Sequence, residues 1–192
     1  TRIGARYLAA GLGWGGSCFP KDTAALLAVG REYHYEMPIV AAARTVNVLN
    51  RTRLIEKMQS FLKGVRGRTI AILGLAFKPD TDDIRESPSI AIIKMLLERG
   101  AHVRVHDPLA MERAKENFSP AEREEITFAL SPYEAAEGAE ALLIATEWRQ
   151  YKDLDLDALR NRMRSPVMID GRNVFDPQKV RKAGWVYTGV GR

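Results

Sequence analysis

The sequence has one cysteine in 192 residues, so no disulfide can close within it, and its three histidines sit at no ligand-like spacing, so no zinc-type cluster is expected. That usage fits a reducing, cytoplasmic setting and leaves the thiol of Cys18 for packing or chemistry. Long apolar runs are also missing. The longest, such as Ile70 to Leu73 and Ala141 to Ala145, fall far short of the roughly 20 residues a membrane span needs. No run of five basic residues occurs either: Lys and Arg are scattered among 24 acidic residues, which argues against a nucleic-acid face despite the net charge of +5. A small phosphorylated ligand needs only a few placed cations, which this chain can supply. The opening Thr1-Arg2-Ile3-Gly4 has neither Met nor a charged-then-apolar leader, so no signal peptide is expected and the start reads as a cut. Internal repeats and low-complexity stretches are absent.

What is present is a hydrophobic content of 46%, enough for a real core. From Thr69 onward, strand and helix patterns alternate. Ile70-Ala71-Ile72-Leu73 closed by Gly74 reads as a buried strand. Ser87-Pro88 is a helix start and Gly100 a helix stop, with Ile90, Ile93, Leu96 and Leu97 on one face. Further strands are predicted at His102 to His106, Ile126 to Ala129, Ala141 to Thr146, Val167 to Asp170 and Trp185 to Thr188. Helices are predicted near Ala110 to Phe118, Pro132 to Glu137, Leu156 to Met163 and Pro177 to Ala183. Six strands joined through helices imply an α/β fold with a doubly wound, parallel, six-stranded Rossmann-like sheet. Before it, Ala24 to Tyr33 and Pro38 to Lys63 read as helices, the second with Ile39, Ala43, Val46, Leu54, Met58 and Phe61 near helical spacing. Residues 1–64 are therefore expected to be part of a helical domain and 65–192 the sheet domain, with the junction at Val65-Arg66-Gly67-Arg68.

The stretch Gly11-Leu12-Gly13-Trp14-Gly15-Gly16-Ser17-Cys18-Phe19-Pro20-Lys21-Asp22 sets four glycines ahead of the lone thiol. Glycines let backbone N–H groups approach a ligand closely and can form an anion-binding concavity. A cysteine ahead of a helix N-terminus and near a lysine has surroundings that favour the reactive thiolate. The residues alone leave two readings of Cys18 open, a nucleophile or a small core residue. Asp22 is equally open between a chemical role and a helix-terminal charge favoured by the macrodipole.

Gly-Gly-Ser-Cys-Phe-Pro-Lys-Asp resembles the catalytic loop of the UDP-glucose 6-dehydrogenases of the UDP-glucose/GDP-mannose dehydrogenase family. The stretch from Phe77 through Ser87, Phe-Lys-Pro-Asp-Thr-Asp-Asp-Ile-Arg-Glu-Ser, resembles their second characteristic motif, and Asp170-Gly171-Arg172-Asn173 a third. Ala145-Thr146-Glu147-Trp148 is also similar to these enzymes, with Trp148 expected to be structural. The likeness runs over essentially the whole chain and implies its C-terminal part, without the NAD-binding domain. In this family the C6 alcohol of the sugar is oxidised twice, with NAD as hydride acceptor. The resemblance implies that Cys18 adds to the intermediate aldehyde to give a thiohemiacetal, whose oxidation leaves a thioester that water cleaves. Asp22 would help activate that water.

The resemblance also implies a set of ligand contacts. Arg2 would reach the sugar nucleotide across a dimer interface and Tyr7 would lie near its phosphates. Gly13 and Gly15 would wrap the UDP-sugar, Phe19 would lie near the sugar, and Phe77, Lys78 and Arg172 would hold the nucleotide. Lys21 and Arg85 would touch NAD, bound mainly by another domain. The turn after the first strand carries Gly74 alone rather than Gly-x-Gly-x-x-Gly, so an NAD pyrophosphate is not expected there. Asp107, after the second strand, stands where a ribose-binding acid often sits, and no such role is assigned to it. Trp14 replaces a phenylalanine common in the family. UDP-glucose is the expected substrate, with GDP-mannose, a UDP-N-acetyl sugar or a non-catalytic sugar-nucleotide module as alternatives. A homodimer or larger homo-oligomer is expected, with the long second helix in its core.

Overall fold

The computed structural model describes residue 4 and residues 8–192. Two helices come first. α1 (Phe19–Glu32) starts ahead of the predicted Ala24, with Pro20 in its first turn, where a missing N–H leaves no bond unmade. α2 (Pro38–Leu62) begins on a proline and ends at Lys63 in the left-handed conformation, φ 56°. Its apolar residues do not form one buried face as their spacing suggests. Leu54, Ile55, Met58 and Leu62 are buried, whereas Ile39 is 84% exposed, Val46 47% and Phe61 41%. The helix meets the sheet domain along its second half, and only there does the spacing translate into burial.

The rest is an alternation of strands and helices. β1 (Thr69–Leu73), α3 (Pro88–Glu98), β2 (His102–His106), α4 (Met111–Asn117), α5 (Pro120–Glu124) and β3 (Ile126–Phe128) make the first half. α6 (Pro132–Ala136), β4 (Ala141–Ile144), α7 (Arg149–Lys152), α8 (Leu156–Arg160), β5 (Val167–Asp170), α9 (Pro177–Lys182) and β6 (Val186–Gly189) make the second. All six strands are parallel, in the order β3-β2-β1-β4-β5-β6. The predicted fold class is the observed one. α5 and α7 leave no periodic signal in the sequence because each is about one turn long, although Ser119 and Glu122 form a capping box at the head of α5.

The winding reverses between β1 and β4, which puts the switch point of the sheet at their carboxyl ends. Both strands are covered on two faces: Ile70 to Leu73 and Ala141 to Ile144 are all 0% exposed, and this is why they read as continuous apolar runs. Among the described residues, no helix is long and apolar enough to cross a membrane.

Candidate functional site

The segment carrying the glycines lies over the carboxyl ends of β1, β4 and β5. Leu12 is buried at 2% exposure and packs onto Gly171, just past β5, where any Cβ would meet its side chain. The Asn47 side chain of α2 then holds the next turn, accepting from Trp14 N (2.7 Å) and donating to Trp14 O (3.2 Å). Gly13 lies against the same amide. Gly16 N donates to Arg85 O at 2.8 Å, which sews the loop to the second motif. A Cβ on Gly15 would sit 2.4 Å from the Glu86 carbonyl oxygen, and Gly16, at φ +88°, lies on the Phe77 ring. Gly13 (φ +121°), Gly15 and Gly16 are therefore required by close approaches, and Gly13 and Gly16 also by a left-handed backbone.

Cys18 follows as the N-cap of α1, exposed and without a side-chain capping bond. Its sulfur has one hydrogen-bond partner among the described residues, Ser17 Oγ at 3.6 Å. Phe19, 56% exposed, meets Trp14 edge to face at 5.2 Å between ring centroids. Asp22 N donates to Cys18 O at 2.8 Å, so Asp22 stands one turn above the thiol. Its carboxylate pairs with Lys21 at 2.9 Å. This contact is the main cause raising the Lys21 pKa, and the charge of Cys18 adds a smaller push in the same direction. Arg85 is raised chiefly by its hydrogen bonds to Asp83, with Cys18 again a minor contributor. Lys21, Arg85 and Arg44 face one open recess of about 560 Å³ beside Gly16 and Ser17.

Arg172 is held from the other side. Its Nε and Nη2 each donate to Glu147 at 2.5 Å, while its Nη1 abuts Gly11. Behind it Asp170, 0% exposed, accepts from Arg172 N, Phe175 N and the Tyr187 hydroxyl. Lys78 Nζ lies 5.4 Å from the Phe77 ring centroid, and an open recess of about 390 Å³ runs from Pro79 and Asp80 to Glu147 and Lys152. A separate, more apolar cavity of about 530 Å³ lies under Gly11 and Leu12, against Leu54 and Val190, and contains none of the predicted site residues.

The predicted residues Gly13, Gly15, Phe19, Phe77, Lys78, Arg172, Cys18, Asp22, Lys21 and Arg85 thus fall on one side of the sheet, around its switch point. Arg2 and Tyr7 lie outside the described residues. Three side chains that organise the site were missed. Asn47 could have been suspected as an amide on the apolar side of a helix, and Glu147 from its place beside Trp148. Asp107, set aside as a ribose ligand, is 2% exposed and accepts Leu75 N at 2.7 Å and Ala76 N at 3.1 Å. The turn after β1 is thus closed on Asp107, and the next helix, α3, begins only at Pro88; with no helix N-terminus at the turn, it does not offer the cradle an NAD pyrophosphate takes.

An α/β sheet with a polar, cation-lined switch point and a thiol-bearing loop across it has the form of a nucleotide-ligand site. The family follows from comparison with known proteins. The UDP binding domain of the UDP-glucose/GDP-mannose dehydrogenase family matches residues 71–177, and the central domain of the same family matches residues 1–48. The chain belongs to the UDP-glucose/GDP-mannose dehydrogenase family. UDP-glucose 6-dehydrogenase TuaD of Bacillus subtilis is 40% identical over 192 residues, 100% of this chain and 41% of that protein. A UDP-glucose dehydrogenase structure from Pyrobaculum islandicum matches with a TM-score of 0.84 and 43% identity, over 98% of this chain and 40% of that one. A UDP-D-ManNAc dehydrogenase structure from Pyrococcus horikoshii matches at TM-score 0.76 and 28% identity, over 95% and 40%. The chain spans about two fifths of the length of the curated relatives it matches.

Proposed function

We propose that this chain is the UDP-sugar-binding and nucleophile-bearing part of an NAD-dependent UDP-glucose 6-dehydrogenase that oxidises UDP-glucose to UDP-glucuronate. Residues 1–64 belong to its helical central domain and 65–192 form the nucleotide domain. The observation that carries the reading is the docking of the Cys18 loop on the Phe77–Glu86 motif, with Gly16 N on Arg85 O at 2.8 Å. It sets an exposed thiol beside a cation-lined recess at the switch point.

In this reading Phe77, Lys78 and Arg172 hold the nucleotide, with Arg2 and Tyr7 completing the grip. Gly13 and Gly15 let the loop backbone close over the ligand, and Phe19 packs near the sugar. Loss of the hydroxyl proton and one hydride turns the C6 alcohol into the aldehyde, and the Cys18 thiolate adds to that carbon, forming an S–C bond and an alkoxide that takes up a proton. Loss of that hydroxyl proton and of a second hydride from the same carbon leaves the thioester. Water, deprotonated with the help of Asp22, then breaks the S–C bond and frees the carboxylate and the thiol. NAD, when bound, supplies the hydride acceptor. Lys21 and Arg85 have the charge and exposure to meet its phosphates from the recess beside Cys18.

Thermal melting with UDP-glucose, UDP and GDP-mannose tests this reading, since a ligand selective for the folded state raises the midpoint. The expected result is a rise with UDP-glucose and UDP and none with GDP-mannose. A rise with GDP-mannose alone would reassign the nucleotide, and no rise with any of the three would defeat the reading. The exposed apolar residues of α2, Ile39 and Val46 among them, support a homo-oligomer built on this helix. Sedimentation tests that assembly.

A further inference from the structure

Asp107 sits immediately after β2 and is buried, yet among the described residues it pairs with no cation. Its two oxygens accept five hydrogen bonds instead. Oδ2 takes Leu75 N (2.7 Å), Ala76 N (3.1 Å) and Trp148 Nε1 (3.1 Å), and Oδ1 takes Leu109 N (2.9 Å) and Ala110 N (2.8 Å). A carboxylate offers about four lone-pair sites, so this one is saturated.

The donors are the roots of two pocket walls. Leu75 and Ala76 lead directly into Phe77 and Lys78, and Trp148 follows Glu147, which grips Arg172. The carbonyl side of the same segment is also fully used. Gly74 O accepts from Ser89 Oγ (2.6 Å), Leu75 O from Ser87 Oγ (2.7 Å) and Ala76 O from Thr146 Oγ1 (2.7 Å). No backbone polar group from Gly74 N to Ala76 O is free to rearrange, because Gly74 N donates to His106 O as well. Buried amides that lose their acceptor must find another or move, so the Asp107 carboxylate decides where Phe77 and Lys78 begin.

We propose that Asp107 is a positioning residue for the nucleotide pocket: by holding the amides of Leu75 and Ala76 and the indole of Trp148 on one oxygen, it sets the Phe77–Lys78 arm and the Glu147–Arg172 pair in mutual register. The proposal rests on the reading above that these residues hold a UDP-sugar. Asp107→Asn keeps the shape but turns one acceptor oxygen into a donor facing other donors. Trp148→Phe removes a single donor and keeps an aromatic ring.

Calorimetric titration of the chain with UDP is the test, with hydrogen exchange followed at Leu75 and Ala76. Asp107→Asn is expected to bind UDP about tenfold more weakly and to exchange both amides faster. Trp148→Phe is expected to bind more weakly with the fold intact. Ser119→Ala, which removes a helix cap next to the β3 edge of the sheet, is expected to leave UDP affinity unchanged, and where turnover is measured Asp107→Asn raises the KM for UDP-glucose with kcat retained. If Asp107→Asn does not fold, Trp148→Phe decides the matter by itself. Unchanged UDP affinity in every folded variant overturns the proposal, as does an equal loss in Ser119→Ala. Failure of the unaltered chain to bind UDP overturns the reading of the pocket itself, a result distinct from variants that bind as well as the unaltered chain.

Discussion

Glu147 and Arg172 form a two-pronged pair, with Nε and Nη2 of the guanidinium each 2.5 Å from a carboxylate oxygen. The pair is partly buried, with side-chain exposures of 20% for Arg172 and 31% for Glu147, and it fixes the plane of the guanidinium while Nη1 abuts Gly11. A lysine keeps the charge but lacks the planar fork. Arg172→Lys is therefore expected to weaken UDP binding by roughly tenfold with an unchanged circular dichroism spectrum. Full affinity in this variant would remove Arg172 from the pocket.

The loop glycines give a second prediction. Gly15→Ala forces a methyl group onto the Glu86 carbonyl, 2.4 Å from its oxygen, so the loop or the second motif has to move. The expected loss of stability is about 1–3 kcal/mol, accompanied by loss of UDP binding. Gly67→Ala is the control. It also has a positive φ, +68°, but nothing lies within 4 Å of the added Cβ, so only backbone strain of about 1 kcal/mol and normal UDP affinity are expected.

Cys18 is the one thiol of the chain and is exposed. Iodoacetamide is expected to label it in one-to-one stoichiometry, and UDP-glucose to slow the labelling. In UDP-glucose oxidation assays with NAD on the full enzyme, with the NAD-binding domain present, Cys18→Ser is expected to stop short of the sugar acid. Continued formation of the acid at the unaltered rate would exclude Cys18 as the nucleophile.

His106 supplies a pH dependence. Burial pushes its pKa below the ordinary 6.5, and Asp107 and Glu134 pull only partly the other way. Among its neighbours, Tyr151 donates its hydroxyl to His106 O at 3.0 Å. The phenol proton is thereby spent, so the neutral ring is assigned as the Nδ1–H tautomer donating to Tyr151 Oη, also at 3.0 Å. Below pH 6.5 the unfolded chain takes up a proton that the folded chain resists. This contribution to stability is present above about pH 6.5 and is lost as the pH falls. His106→Gln is expected to flatten the stability profile of the chain between pH 5.5 and 7 in denaturant titrations. A slope identical to that of the unaltered chain would assign the acid sensitivity to other groups.

Much of this architecture is legible in the order of residues. β1 and β4 declare themselves as apolar runs because strands covered on both faces admit little else, and Ser87-Pro88 marks the head of α3 because a hydroxyl and a fixed φ suit that position. The three motifs could also be picked out, since each needs particular residue types at fixed spacing. α2 shows the limit of such reading. Its spacing announces an apolar stripe, but whether Ile39 or Met58 is buried depends on what lies opposite, and that is a property of the packed molecule.

The sequence by itself determined the fold class, the family likeness and the identity of the candidate nucleophile, all of which follow from local pattern. Only the tertiary structure decided how these side chains are held: that Glu147 orients Arg172, that Asn47 pins Trp14, and that Asp107 takes the amides of Leu75 and Ala76. The reason is physical. These partners are separated by 25 to 33 residues in the chain, and each is an ordinary polar side chain until the sheet closes and deprives it of water.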